Sequence, residues 1–379
     1  MLNYCIMNRF FIVAAYASVA LLSGCSNDEL ANVEKSTQNM ISFHVVGNRA
    51  ETRATPITQN NLTSTDFDVF AFTADGTAFM GKNDTGFGHD GINIKYANGQ
   101  WSYSNPDELR YWPEETTPLS FYAFNPGTVS ETMQYYYMWD VDHEAQKIIY
   151  SSIDEYGNSD QGENYDVMYA MAKGQTKSTN NGMVKLQFKH ILSQVVFKAK
   201  NQYANMQVDI KGIKIHNVEL SGTFTLPETA EASPSLENWK LNGLAGTATV
   251  VKDASVTVKS STEAIDITST TPMLIVPQNL TGWNVNGGVG TKAEADDAKQ
   301  CYLEISCKIR QSDVYLCGSA TEFKTIYVPF GAEWQPGKRY IYTLVFGGGY
   351  DDQGVPILKP IHFIPEVDEW RNTSEEHEN

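Results

Sequence analysis

From Ile41 onward, apolar and polar residues alternate with a period of two along segment after segment. Successive side chains of an extended strand point to opposite faces, so this period buries one face and wets the other. Ile41-Ser42-Phe43-His44-Val45 reads in, out, in, out, in. Phe67 to Phe72 is a denser apolar run, closed by a turn at Ala74-Asp75-Gly76. Ile92–Tyr96 and Gln100–Tyr103 flank Asn98-Gly99, a dipeptide suited to the positive φ of a two-residue hairpin. Pro118 to Phe124 stops at Asn125-Pro126-Gly127. Further strands are expected at 184–188, 195–200, 213–220, 247–258, 273–276, 302–309, 325–328 and 340–346. Helical spacing is confined to short stretches such as Asp142–Gln146. Many short strands between Gly, Pro, Asn and Asp turns predict an all-β chain built of β-sandwiches.

The first residues are different. Asn8-Arg9 precedes an apolar run from Phe10 to Leu22, too short for a comfortable membrane span but the right length for a secretory signal. It ends at Leu22-Ser23-Gly24-Cys25, which resembles the bacterial lipobox. Small residues before the cysteine let a signal peptidase close on the backbone, and the Cys25 thiol is the group that accepts the lipid. Two or three acyl chains would anchor the product stably to a membrane. Ser26-Asn27-Asp28-Glu29 resembles the surface-export signal of Bacteroidota lipoproteins and equally suits a solvated tether. The expected organisation is a signal over 1–24, a tether over 25–39, one sandwich over 40–182, a second over 183–370 and a tail over 371–379. The boundary is set in the polar, glycine-bearing stretch Ala172–Gly182, and Pro227–Pro234 and Asn284–Lys299 are expected as surface loops.

Composition and motifs exclude more than they assign. A net charge of −17 argues against nucleic-acid binding, which needs basic patches to displace counterions. Seven scattered histidines form no zinc motif, and no nucleophile elbow, phosphate loop or calcium loop is present. No cofactor or metal is expected, and the chain does not read as an enzyme, although a carboxylate pair could hide among 45 acidic residues. Cys301 and Cys307 are too far apart along one strand to bond. Either could reach Cys317 across a hairpin turning at Gln311-Ser312-Asp313, but buried free thiols are the preferred reading. Aromatics such as Trp101, Tyr103, Tyr111, Trp112 and Tyr135-Tyr136-Tyr137 could stack on sugars. Core packing of a sandwich is the simpler account of their abundance.

Six segments, in order, carry a resemblance. They are Ile41-x-Phe43 followed by Glu51-Thr52-Arg53-Ala54, and Trp101-x-Tyr103 with Leu109-x-Tyr111-Trp112-Pro113 and Leu119-x-Phe121-Tyr122-Ala123. Next come Leu186-x-Phe188-x-His190-Ile191-Leu192-Ser193 and Met273-Leu274-Ile275-Val276-Pro277-Gln278. Trp334-x-Pro336-Gly337-x-x-Tyr340 and Ile361-x-Phe363-x-Pro365-x-Val367-x-x-Trp370 complete the set. Together they resemble the fimbrillin family of Bacteroidales, the subunits of type V pili and their accessory lipoproteins.

That resemblance implies two sandwiches of transthyretin-like topology and a role in a surface fimbria that mediates adhesion. It implies an outer-membrane lipoprotein precursor whose partners are other fimbrial subunits, copies of itself and an arginine-specific protease. A host or glycan ligand is a further possible partner. The implied cut follows Arg53, with Arg49 as the second candidate, in a polar segment just before Pro56. It would release the first strand, with Ile41, Phe43 and Val45 on one face. The implied donor strand is the last one, with Ile361, Phe363, Val367 and Trp370. The tail from Arg371 to Asn379 runs slightly past the family's usual end. Physical chemistry supports the scheme independently. A sandwich that loses a strand exposes an apolar groove rimmed by unpaired backbone groups, a template for β-augmentation. Pro365 lacks an N–H, which confines its strand to an edge or a bulge.

Overall fold

The computed structural model describes residues 39–46, 62–81, 91–114, 116–127, 137–152, 165–203, 205–252, 254–259, 262–268, 273–347, 350–355 and 362–369. Strands dominate them, as the alternation predicts.

A seven-stranded antiparallel sheet organises the N-terminal half. Its path runs Lys189–His190, Met168–Gln175, Leu119–Asn125, Asp66–Thr73, Ile92–Ala97 and Gln100–Tyr103, with Ala78–Met80 also paired to Asp66–Thr73. Asn98 and Gly99 take φ of 54° and 84°, which makes the tight hairpin. The central strands are apolar on both faces because both are covered. Phe67, Val69, Ala71, Phe121 and Ala123 pack into one core with the first strand, Ser42–Val46, and its partner Met183–Gln187. Phe70, Phe72, Tyr122 and Phe124 face the opposite way, into a second core with Tyr137, Trp139, Ile148 and Phe224. Phe124 stacks on Trp139 at 4.9 Å. The second cover is a four-stranded sheet in the order Trp239–Leu241, Ser221–Thr225, Gln146–Ser151, Tyr137–Val141. Among the described residues the half is therefore three layers, and its outermost layer is two strands wide.

The C-terminal half packs two sheets around the continuation of that second core. One has the order Ile265–Asp266, Ser193–Asn201, Lys338–Phe346, His362–Glu369, with Met273–Ile275 also on Ser193–Asn201. The other is built on Met206–Glu219 and Tyr302–Gln311, flanked by Ala245–Val251, Val256–Val258, Val314–Cys317 and Lys324–Pro329. Val195, Phe197, Tyr342 and Leu344 of the first meet Ile213, Ile215, Leu303 and Ile305 of the second.

Several expectations need correction. Asp142–Gln146 is not helical: the Asp142 carboxylate accepts from the amides of Glu144 and Ala145 at 2.8 and 2.6 Å, making a turn between strands. The expected strand over 247–258 is two strands that both pair with Met206–Glu219. The loop expected over Asn284–Lys299 contains a short helix, Lys292–Asp297. Thr291 and Glu294 close it with a capping box, a start signal legible in the sequence. The polar stretch set as the domain boundary holds the end of one strand, Met168–Gln175, and a short turn. Met183–Gln187 beyond it pairs with the first strand, and Lys189–His190 joins the seven-stranded sheet. We place the seam between the halves after His190 for that reason, though Ser221–Thr225 pairs with Gln146–Ser151 across it.

Candidate functional site

The first strand fills a groove. Ser42–Val46 runs parallel to Met183–Gln187, with Phe43 opposite Val184 and Val45 opposite Leu186. Ile41, Phe43 and Val45 are 0, 6 and 7% exposed, whereas His44 between them is exposed. The Phe43 ring meets Phe67 edge-on at 6.1 Å and Phe121 at 6.3 Å. Three buried side chains at roughly 1.5–3 kcal/mol each make this strand a large part of the outer layer's stability. Its ends are tied by backbone: Ile41 N donates to Arg110 O at 3.0 Å, and Phe188 N donates to Val46 O at 3.0 Å. The Tyr103 hydroxyl adds a bond to Ile41 O at 3.2 Å, and burial pushes its pKa up from the ordinary phenol value. The strand's regular ladder lies on one side alone among the described residues.

The last strand has a different environment. His362–Glu369 pairs antiparallel with Lys338–Phe346 at the end of its sheet. An edge is one of the two placements that Pro365 allows. Residues 364 to 368 are all exposed, Val367 at 63%. Val367 and Pro365 lie opposite Tyr340 and Tyr342, on the side that faces the core but at its rim. Cys25, Arg49, Arg53, Ile361 and Trp370 lie outside the described residues, as does the side chain of Phe363.

The aromatics are mainly structural. Trp101 packs on Phe67 at 5.0 Å, and Tyr137 is buried against Trp139. Trp112 is buried and its indole N–H donates to Gly182 O at 2.8 Å, fixing the turn that leads into Met183–Gln187. Tyr111 is 47% exposed.

Two features went unread in the sequence. The first is the hub formed by residues 188–193. His190 Nδ1 and Asp166 Oδ1 lie 2.9 Å apart, both buried. Ile191 O accepts from the Trp239 indole, Leu192 O accepts from Gly337 N, and the Ser193 hydroxyl donates to Gln335 O. One quoted motif thus ties the first strand's partner to the turn before Lys338–Phe346. The second is Asp68, an acid inside the dense run Phe67–Phe72. Burial pushes its pKa up to about 7, against the lowering effect of Asn93, whose amide donates to it at 3.0 Å.

Cys301, Cys307 and Cys317 are buried free thiols, as preferred from the sequence. Among the described residues no cluster of His, Cys, Asp and Glu is arranged to hold a metal ion. No helix among them is long and apolar enough to cross a membrane.

Among the described residues, a buried first strand with one ladder partner, a last strand at a sheet edge and an all-β frame define the architecture. The model of the family described as fimbrillin-like matches residues 52–361, and the chain belongs to that family. Fimbrium subunit Fim1C of Phocaeicola vulgatus is 22% identical over 231 residues, which cover 58% of this chain and 59% of that protein. The chain is thus aligned to about three-fifths of that relative's length. The crystal structure of a fimbrial protein from Bacteroides vulgatus superposes with a TM-score of 0.51 at 16% identity. That match covers 88% of this chain and 99% of the other. It supports the fold.

Proposed function

We propose that this chain is a structural subunit of a type V-like surface fimbria, with a part in adhesion. In this reading the precursor is exported as an outer-membrane lipoprotein acylated at Cys25. An arginine-specific protease then cuts after Arg53, or after Arg49. The first strand leaves, and the segment Ile361–Trp370 of a neighbouring subunit fills the groove.

The observation that carries this reading is the first strand itself. It places Ile41, Phe43 and Val45 in the core of a layer two strands wide, and it is followed within a few residues by both arginines. Its loss would expose Phe67, Phe121 and Leu186 together with the open edge of Met183–Gln187. An incoming strand would gain ladder hydrogen bonds worth about 0.5–1.5 kcal/mol each and the same apolar pockets.

Limited digestion with trypsin, followed by N-terminal sequencing and size exclusion, tests it. The expected result is a body starting at Ala54 or Ala50 that forms a ladder of oligomers. A cleaved body that stays monomeric at high concentration, or a chain that resists cleavage at both arginines, would count against strand exchange.

A further inference from the structure

A ladder alone does not fix the register of the first strand. Side chains and hydrogen bonds of a strand pair repeat every two residues, so a slip of two keeps the same face inward. Ser42–Val46 has one regular ladder among the described residues, with Met183–Gln187. Along it Val46 O accepts from Phe188 N, which turns the backbone groups of Val46 toward that partner. Ile41 lies an odd number of residues earlier, so its backbone groups turn to the other side. There a single peptide unit is held. Ile41 N donates to Arg110 O at 3.0 Å, and the Tyr103 hydroxyl donates to Ile41 O at 3.2 Å. An isolated antiparallel bridge between Met40 and Tyr111 sets Ile41 opposite Arg110. A regular antiparallel pair would use the Arg110 N–H as the second donor, and here a phenol stands in its place. Burial pushes the Tyr103 pKa up, and a hydrogen bond from the Arg110 backbone opposes the shift. The hydroxyl therefore bridges the Arg110 backbone and Ile41 O.

The surroundings hold this clamp in place. The Arg110 guanidinium donates to Glu108 O and Leu109 O at 2.9 and 3.3 Å, which folds the segment on itself. Two residues on, the Trp112 indole ties the same segment to Gly182 O, at the head of Met183–Gln187. Both walls of the groove are thus linked. We propose that the Tyr103 hydroxyl, with the Arg110 backbone, is the register stop of this groove and positions the strand that lies in it. Capturing one peptide unit at one end breaks the two-residue repeat of the ladder. Because the stop reads backbone, its demand on the occupant is an extended residue with an N–H, which excludes proline. The side chain at that position must be apolar, two residues before the one that meets Phe67 and Phe121. The chain's own first strand meets the demand with buried Ile41 and Phe43. A neighbouring subunit's strand that replaced it would face the same demand, an extension that rests on the strand-exchange reading.

The test places para-fluorophenylalanine at Phe43 of the full, uncut chain and compares the parent with the Tyr103→Phe variant. That variant keeps the ring and removes the hydroxyl, and an unchanged circular dichroism spectrum shows that it folds. The parent should give one fluorine line. The variant should give a second line, from strand slipped by two residues. Exchange of the Ile41 amide should rise by about two- to tenfold, the effect of one hydrogen bond. The Phe188 amide, at the far end of the ladder, should keep its rate. A single fluorine line in the variant would overturn the stop, and so would equal acceleration of the Ile41 and Phe188 amides, which marks general loosening. Trypsin then separates the two readings. A second line in the uncut variant, with the cut parent still monomeric, upholds the stop for the chain's own strand and counts against strand exchange. Where the cut parent forms oligomers, the cut variant should form fewer. Ladders that match the parent's would overturn the extension to a neighbour's strand.

Discussion

The first and last strands carry closely similar alternation, yet the structure gives them opposite surroundings. Ser42–Val46 sits inside a three-layer half with Phe43 and Val45 buried and Val46 half-buried, although its regular ladder has one partner among the described residues. His362–Glu369 has a longer ladder, eight register pairs with Lys338–Phe346, and leaves residues 364–368 in solvent. The first is held mainly by side chains, whereas the described side chains of the second, at 364–368, bury little. Apolar burial contributes more per residue than a net hydrogen bond. Removing the first strand should therefore leave a groove that needs filling, and releasing the last should leave a sheet that is still closed.

The largest expected effect tests the first half of that contrast. Phe43→Ala removes a ring packed on Phe67 and Phe121 and should lower the unfolding free energy of the uncut chain by about 3–5 kcal/mol in urea titrations. A loss below about 1 kcal/mol, the range of surface substitutions, would mean that the groove closes without it.

Asp68 probes the opposite face of the same seven-stranded sheet. Its folded pKa, about 7, lies above the ordinary 3.8, so the folded state prefers the protonated acid. Stability from this group is fully present below the unfolded pKa and is lost as pH rises through about 7. Asp68→Asn should stabilise the chain at pH 8 by on the order of a few kcal/mol and bring nothing near pH 4. Melting curves across that range check it. A variant with the parent's pH profile would show that Asp68 ionises freely.

Trp112 sharpens the comparison at the first strand's partner. Trp112→Phe leaves Gly182 O without its buried donor and should cost about 1–3 kcal/mol. Hydrogen exchange should rise at Met183–Gln187 before it rises at Lys338–Phe346. Equal acceleration in both strands would show that the two regions open together.

The strands were legible because sandwich faces impose period two on the residues themselves, and the Asn98-Gly99 hairpin because its backbone demands positive φ. Pro365 narrowed the last strand to an edge or a bulge, and the structure places it at an edge. The three-layer arrangement was less visible. A sheet covered on both sides erases alternation, so Phe67–Phe72 read as dense without showing why. The seam after His190 was hidden because Lys189–His190 and Ser193–Asn201 are adjacent strands in the chain that serve different sheets. Two of the hub bonds of residues 188–193 are accepted by the backbone carbonyls of Ile191 and Leu192, which carry no side-chain signature. The lysines at 173 and 185 of one cleft and at 189 and 338 of a second are brought near one another by the fold and kept apart by the sequence.

The smallest effect on stability falls at the last strand. Val367 is 63% exposed, and a carboxylate there keeps its water. Val367→Asp should therefore change the unfolding free energy of the monomer by no more than about 0.5 kcal/mol. Under the strand-exchange reading, the same side chain must enter an apolar pocket of a neighbour, where an unpaired carboxylate is strongly disfavoured. Oligomer ladders of the cleaved chain should then disappear while the melting temperature stays put. If Val367→Asp lowers the monomer's melting temperature sharply, the strand belongs to its own sandwich after all. If ladders form as in the parent, residue 367 does not enter a neighbour's groove, and the donor must be sought in another segment.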